Sequence, residues 1–379
     1  MSDTEPRLSA IFPALSIPAR LHGNTNINGR GVCLALIDSG FVPHPDLMYP
    51  RVRIRRFFDA VENREDDLPP YVEAFYTWHG TMTACTAAGN GYLSRMLYTS
   101  LAGEAEVVLV RTMNPRGRIP TSVIVRALQW CLLNHRKLNI RVINLSVYAD
   151  EIDPTPQHPV TELVEELFHE GVITVAAAGN DAAKPLRPPA LSPAAITVGG
   201  LDDRNTLTTR DNRMYNSSFG VTVNGQRKPE VIAPAIWLPA PMLLETPTQT
   251  EAAVLCALDA LPDEEMDRVL PDLIGKTKLS SELLTLEDIT LKRAAISERL
   301  AVQKIISPYY QHVDGTSFAA PIVASLIAQM LEVNPDLKPE TVKNILTGTA
   351  EILPQVEKDR QGYGVVNPKA ALAQAIALR

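Results

Sequence analysis

The sequence predicts an α/β fold, a doubly wound and mostly parallel sheet with helices on both faces, plus one helical insertion. Three observations predict it. Short apolar runs bounded by glycine or turn residues, at 29–40, 106–113, 140–147, 171–181 and 194–200, read as buried strands. Helical patterns at 122–133 and 161–170 alternate with them, as in βαβ units. Three polar residues, Asp38, Ser146 and Asn180, fall at carboxyl ends of those strands, the edge where open α/β sheets place their sites.

In chain order, residues 1–17 are dotted with proline and read as an extended arm. GRGVCLALIDSG, Gly29 to Gly40, is a continuous apolar run closing on Asp38; alone, such an Asp is more often an Asx turn than a site. Between 49 and 77, Arg51, Arg53, Arg55 and Arg56 form a basic patch and Glu62 to Asp67 an acidic one. Both read as solvated loop surface. WHGTMTACTAAGNG puts His79 at the opening of a small-residue helix, where a lone His is ordinarily a cap or a surface residue. The strand at 106–113 leads into a turn, Asn114 to Gly117; the strand at 171–181 ends in Asn180.

Residues 239–311 differ in character. They are charged, helical in pattern and without glycine except Gly275. Thr248 with Glu251, and Thr285 with Asp288, are capping-box patterns. Ile289, Ile296 and Leu300, flanked by Ala295, Val302 and Ile306, make one apolar stripe. Next comes HVDGTSFAAPIVASLIAQML, residues 312–331. A polar turn, Asp314-Gly315-Thr316, precedes Ser317, and the apolar run after it is too long for an ordinary strand. It reads as a helix buried on nearly all sides, with Pro321 near its start. Ser317 then stands at the N-terminus of a core helix, where free N–H groups and the positive dipole end suit a developing oxyanion. A plain helix cap is the alternative. A helix near Glu340 to Thr347 and the segment GYGVVNPKAALAQA close the chain.

Composition narrows the classes. The 379 residues are 45% hydrophobic, enough for a sizeable core. A net charge of -7 without a long basic run gives no support for nucleic-acid binding. No uncharged apolar segment reaches the roughly 18 residues that a membrane span needs. The N-terminus lacks the pattern of a signal peptide. Cys33, Cys85, Cys131 and Cys256 lie singly in apolar stretches, without CxxC spacing. They read as small core residues of a reducing compartment, so a cytoplasmic location is expected.

Asp38, His79 and Ser317 supply a carboxylate, an imidazole and a hydroxyl. Serine attacks weakly unless a base takes its proton; a neutral imidazole does so near pH 7, and a carboxylate fixes its tautomer. At this point the sequence resembles the subtilisin-like serine proteases, the subtilases. LALIDSG is similar to the family's aspartate motif, HGTMTACTAAG to its histidine motif, DGTSFAAPIVA to its serine motif and AAAGND to its oxyanion-asparagine motif. INLSV resembles the strand that pairs with bound peptide, and Asn114 to Ile119 the opposite binding segment; HPDL, SSFG, KPEVIAPA and GYGVVN also recur. The resemblance covers roughly residues 18–238 and 312–379. It implies Ser317 as nucleophile, His79 as general base and acid, Asp38 as orienting carboxylate, and Asn180 with the Ser317 N–H as oxyanion hole. It also implies that Gly117, Arg118 and Ile119 on one side, and Ser146, Val147 and Tyr148 on the other, hold the substrate as an added strand.

Three departures qualify the resemblance. Secreted subtilases carry a folding prodomain, and here only the short arm precedes the matched region, which agrees with an intracellular form. Pro13 to Pro18 reads as a loose tail, with a cover for the cleft as the alternative. The family often binds calcium and Asp46 matches one carboxylate of that pattern, but Asn90 to Ser100 supplies no Asp or Glu. With six to eight oxygens needed, no metal or other cofactor is expected. Third, 239–311 is far longer than the loop of simple subtilases. It reads as a helical insertion near the active site, a lid or a docking face for a regulatory protein, with inert decoration as the bland option. The expected function is a serine endopeptidase acting on protein or peptide. A non-catalytic binding module on the same fold, an esterase and a single-partner processing protease are the rivals.

Overall fold

A computed structural model of the chain describes residues 14–72, 74–149, 157–222 and 224–379. The arm expected at 1–17 lies outside the described residues as far as residue 13. The chain divides into two compact units, one comprising Leu15–Ala240 with Val313–Arg379, the other built on Pro241–His312.

The larger unit is organised on one sheet, nine-stranded among the described residues. Its strands include β1 (Cys33–Asp38), β2 (Ile54–Asp59), β3 (Arg64–Asp66), β4 (Glu106–Arg111), β5 (Ile140–Leu145), β6 (Ile173–Ala177) and β7 (Ile196–Asp202). Val231–Pro234 forms one edge, and the order from it is β7, β6, β5, β1, β4, β2, β3. All these pairings are parallel except β2 with β3. The strands on either side of β1 are β5 and β4, so the winding direction changes there and a crevice opens at the carboxyl ends.

Side chains alternate along β1 and divide its residues between the two faces. Cys33, Ala35 and Ile37 join Ile124 and Leu128 of helix Thr121–Leu138, and Val160 and Val164 of helix Pro159–His169, in one buried cluster. Leu34, Leu36 and Asp38 therefore point to the opposite face. There helix Thr77–Ala88 packs against helix Thr316–Val333, which also crosses β5, β6 and β7. The latter helix is buried from Thr316 to Leu331. Each of its buried Leu, Ile or Met side chains contributes about 1.5–3 kcal/mol relative to exposure. By length and composition this helix could cross a membrane, but it carries Glu332, most of it is buried inside the unit, and it serves as the core helix expected from the sequence.

The basic patch corrects another expectation. Residues 54–59 are a sheet strand rather than a loop, and Arg53 is only 1% exposed. Its guanidinium donates to the carbonyl of Ala105 at 3.0 Å and to those of Ala88 and Asp46. Burial pulls it down to about 10, so it remains charged at neutral pH. Nor is the segment around Pro18 a loose tail or a cover for the cleft. Ile17–Arg20 forms a helical turn, and Arg20 is buried, donating to Asp203 at 2.7 Å and to the carbonyl of Trp237 at 2.9 Å.

The second unit holds helices Pro247–Ala260, Asp263–Leu273 and Ile289–Val302. Thr246 caps the first, accepting from the Gln249 N–H at 3.1 Å, and Asp288 caps the third, accepting from Thr290 at 2.7 Å. Both capping boxes are thus displaced from Thr248 and Thr285. Glu251 instead receives a two-point contact from Arg299, at 2.8 and 3.0 Å, which ties the first helix to the third. Arg293 donates to the Leu258 carbonyl at 2.8 Å and to Asp263 at 2.9 Å. The apolar stripe is shorter than expected. Ile296 and Leu300 are buried, Val302 is 64% exposed, and Ile306 belongs to a strand, Ile305–Ser307.

Candidate active site

Asp38 ends β1 and is 1% exposed. A carboxylate in such a place must be hydrogen-bonded. Its Oδ1 accepts from the Ser39 N–H at 2.6 Å, and its Oδ2 accepts from the Thr83 hydroxyl at 2.9 Å. His79 Nδ1 lies 2.7 Å from Oδ1. Since that carboxylate oxygen accepts a hydrogen bond from Nδ1–H, the lone pair of the neutral ring is left on Nε2. Nε2 is 3.0 Å from Ser317 Oγ. Asp38, His79 and Ser317 therefore stand in one hydrogen-bonded run.

The approach of His79 to Asp38 depends on Gly80. A Cβ there would meet the Gly40 carbonyl oxygen at 2.2 Å, so only glycine lets the start of helix Thr77–Ala88 reach the end of β1. The imidazole lies edge-on to Trp78 and beside Phe318, with ring centroids 5.3 and 5.5 Å away. Burial pulls the His79 pKa down. The charge of Asp38 and its hydrogen bond outweigh that and hold it above the ordinary imidazole value. As pH falls, the base form is therefore lost earlier than for an ordinary histidine.

Ser317 is the second residue of its helix, with Gly315 rather than Ser317 at the cap. Gly315 has φ +130°, and a Cβ there would lie 3.2 Å from Ser317 Oγ and 3.3 Å from Asn180 Nδ2. The amide of Asn180 thus adjoins the serine oxygen. Its orientation is set by Thr316, whose N–H donates to Asn180 Oδ1 at 2.8 Å and whose hydroxyl lies 3.0 Å from the same oxygen. That hydroxyl in turn accepts from the Gly179 N–H at 3.0 Å. Nδ2 is left to donate toward the reacting centre.

Gly117, Arg118, Ile119, Ser146, Val147 and Tyr148 all line one cleft of about 600 Å³ with Asp38 and His79. The Ser146 hydroxyl donates to the Ser317 carbonyl at 2.8 Å and accepts from the Asn144 amide at 3.0 Å, so it anchors the helix start. All the residues expected at the site are therefore brought together. Thr83, Thr316 and Asn144 were missed. Thr83 had a signal, since four residues separate it from His79 on one helix face.

Calcium does not fit at Asp46. Three carbonyl oxygens there already accept from Arg53, and the Asp46 carboxylate accepts from the Leu93 N–H at 3.1 Å. Arg53 thus brings an internal cation to these carbonyls.

Comparison with known proteins bears on this geometry. A model described as the subtilase family, peptidase S8, matches residues 29–364. Serine protease AprX of Bacillus subtilis (strain 168) is 28% identical over 350 residues, 90% of this chain and 66% of that protein. Subtilisin BL of Lederbergia lenta is 29% identical over 213 residues, 56% of this chain and 67% of that protein. The chain thus spans about two thirds of the length of these relatives. Fervidolysin from Fervidobacterium pennivorans, a keratinolytic enzyme related to subtilisin, has the same fold. Its TM-score is 0.62 at 20% identity, over 98% of this chain and 50% of that one.

Proposed function

Because the chain belongs to the subtilase family, we propose that it is a serine endopeptidase that hydrolyses peptide bonds through an acyl-enzyme on Ser317. Ser317 Oγ attacks the carbonyl carbon while His79 Nε2 takes its proton. Asp38 holds the ring and stabilises the imidazolium that forms. The carbonyl oxygen, now anionic, accepts from Asn180 Nδ2 and the Ser317 N–H. His79 then gives its proton to the departing amine, and water repeats the sequence to release the acid. The observation that carries this reading is the Asp38–His79–Ser317 run, at 2.7 and 3.0 Å. Purified protein should label with a fluorophosphonate and cleave an extended peptide. Absence of both from folded protein would leave a binding module as the better reading.

The Asn180 amide acts only as charge develops on oxygen, so Asn180→Ala should lower kcat more than it raises KM. The expected loss in kcat is about 10²–10³-fold. A raised KM with kcat unchanged would assign Asn180 to ground-state binding instead.

The 239–311 insertion is proposed to restrict entry of large substrates, with a partner protein as its regulator. What supports this is its tether, since the segment rejoins the enzyme in the same short stretch that holds Ser317. Replacing residues 243–307 with a Gly-Ser linker should raise casein cleavage relative to a small peptide ester. An unchanged ratio, in a variant that still labels, leaves the insertion without that role.

A further inference from the structure

Ser317 adjoins His79 and Asn180, and each of these two lines a different hollow. The first is the cleft beside His79. The second, of about 520 Å³, opens on the side of Asn180 and has Ala177, Ala178 and Gly179 in its wall. Tyr148 borders both. On the proposed reading, a peptide lying along Ser146–Tyr148 turns its carbonyl oxygen to Asn180. The side chain next to that carbonyl then enters the second hollow, where small wall residues leave it room.

The charges there are specific. Lys184 and Asp181 pair at 3.4 Å on the rim, and Lys184 is 73% exposed, so these two offset each other in solvent. Arg187 is the remaining charged residue of the described lining. Its guanidinium lies over the Tyr148 ring, 5.3 Å from the centroid. The backbone beneath it is held. Leu186 is 2% exposed, and the Pro188 carbonyl accepts from the Ala149 N–H at 2.9 Å, tying the Arg187 segment to the stretch after β5 that lines the cleft. A guanidinium carries five donors in a planar fork, so it can stack on Tyr148, keep other contacts and still take a carboxylate.

We propose that this hollow receives an acidic side chain and that Arg187 selects peptide bonds that follow Asp or Glu. The inference rests on the endopeptidase reading above. It does not follow from the fold, because the selection is assigned to one side chain.

The test uses the whole chain and peptide substrates that differ only before the scissile bond, carrying Glu, Gln, Leu or Lys. The expected kcat/KM for Glu exceeds that for Gln by about 10- to 100-fold, the range of a charge-assisted hydrogen bond. Arg187→Gln brings that ratio close to one, and Arg187→Lys retains part of it. Equal rates for Glu and Gln in wild-type protein that labels at Ser317 overturn the specificity and leave the endopeptidase reading intact. So does a Glu preference that survives Arg187→Gln. Protein that neither labels nor cleaves any of the peptides overturns both.

Discussion

Ser317→Ala abolishes fluorophosphonate labelling and lowers kcat/KM for peptides by on the order of 10⁶-fold, with the thermal midpoint little changed. The reason lies in where the oxygen sits. Oγ is at the N-terminal end of a helix whose apolar body is packed elsewhere, and its side-chain partner is His79 at 3.0 Å. Removing it deletes the nucleophile without opening the core. His79→Ala should be about as damaging, because the members of such a run act as a unit. A Ser317→Ala protein with wild-type peptide cleavage would falsify the assignment.

Asp38→Asn comes second, with an expected loss of about 10⁴-fold in kcat/KM. The surroundings make this change informative. The Asn oxygen can stay on Ser39 N–H and His79 Nδ1, while the new NH₂ faces the Thr83 hydroxyl. Thr83 can then turn its own proton to the Gly80 carbonyl, 2.9 Å away. Ring orientation survives and the negative charge does not, so the loss measures what that charge supplies to the imidazolium. The acid limb of the kcat/KM profile should also move to lower pH, because the group that held the His79 pKa up is gone. An unmoved limb, or a loss below about tenfold, would show that Asp38 does not act through its charge.

Much of this site was legible in sequence because its parts are local. Asp38 closes an apolar strand, and Ser317 opens an apolar helix. His79 and Asn180 sit in stretches whose small neighbours permit close approach, as Gly80 does against Gly40. What was not legible is tertiary. Arg53 looks like surface because it is one of four arginines in a short stretch, and only the fold brings three carbonyls around it. Thr316 looks like turn chemistry until Asn180, far away in sequence, arrives at its hydroxyl. In the insertion, Thr246 and Thr248 both lie at the start of the same helix, and periodicity alone could not choose the cap.

Arg53 also changes how the protein relates to its surroundings. A bound ion stabilises a fold by mass action, so its contribution rises and falls with the free concentration outside. A cation that belongs to the chain has no such dependence. It cannot be diluted away, captured by a competing chelator or exchanged for another ion. The segment it holds through the Ala88 and Ala105 carbonyls keeps that support wherever the protein is found, at whatever level of dissolved calcium.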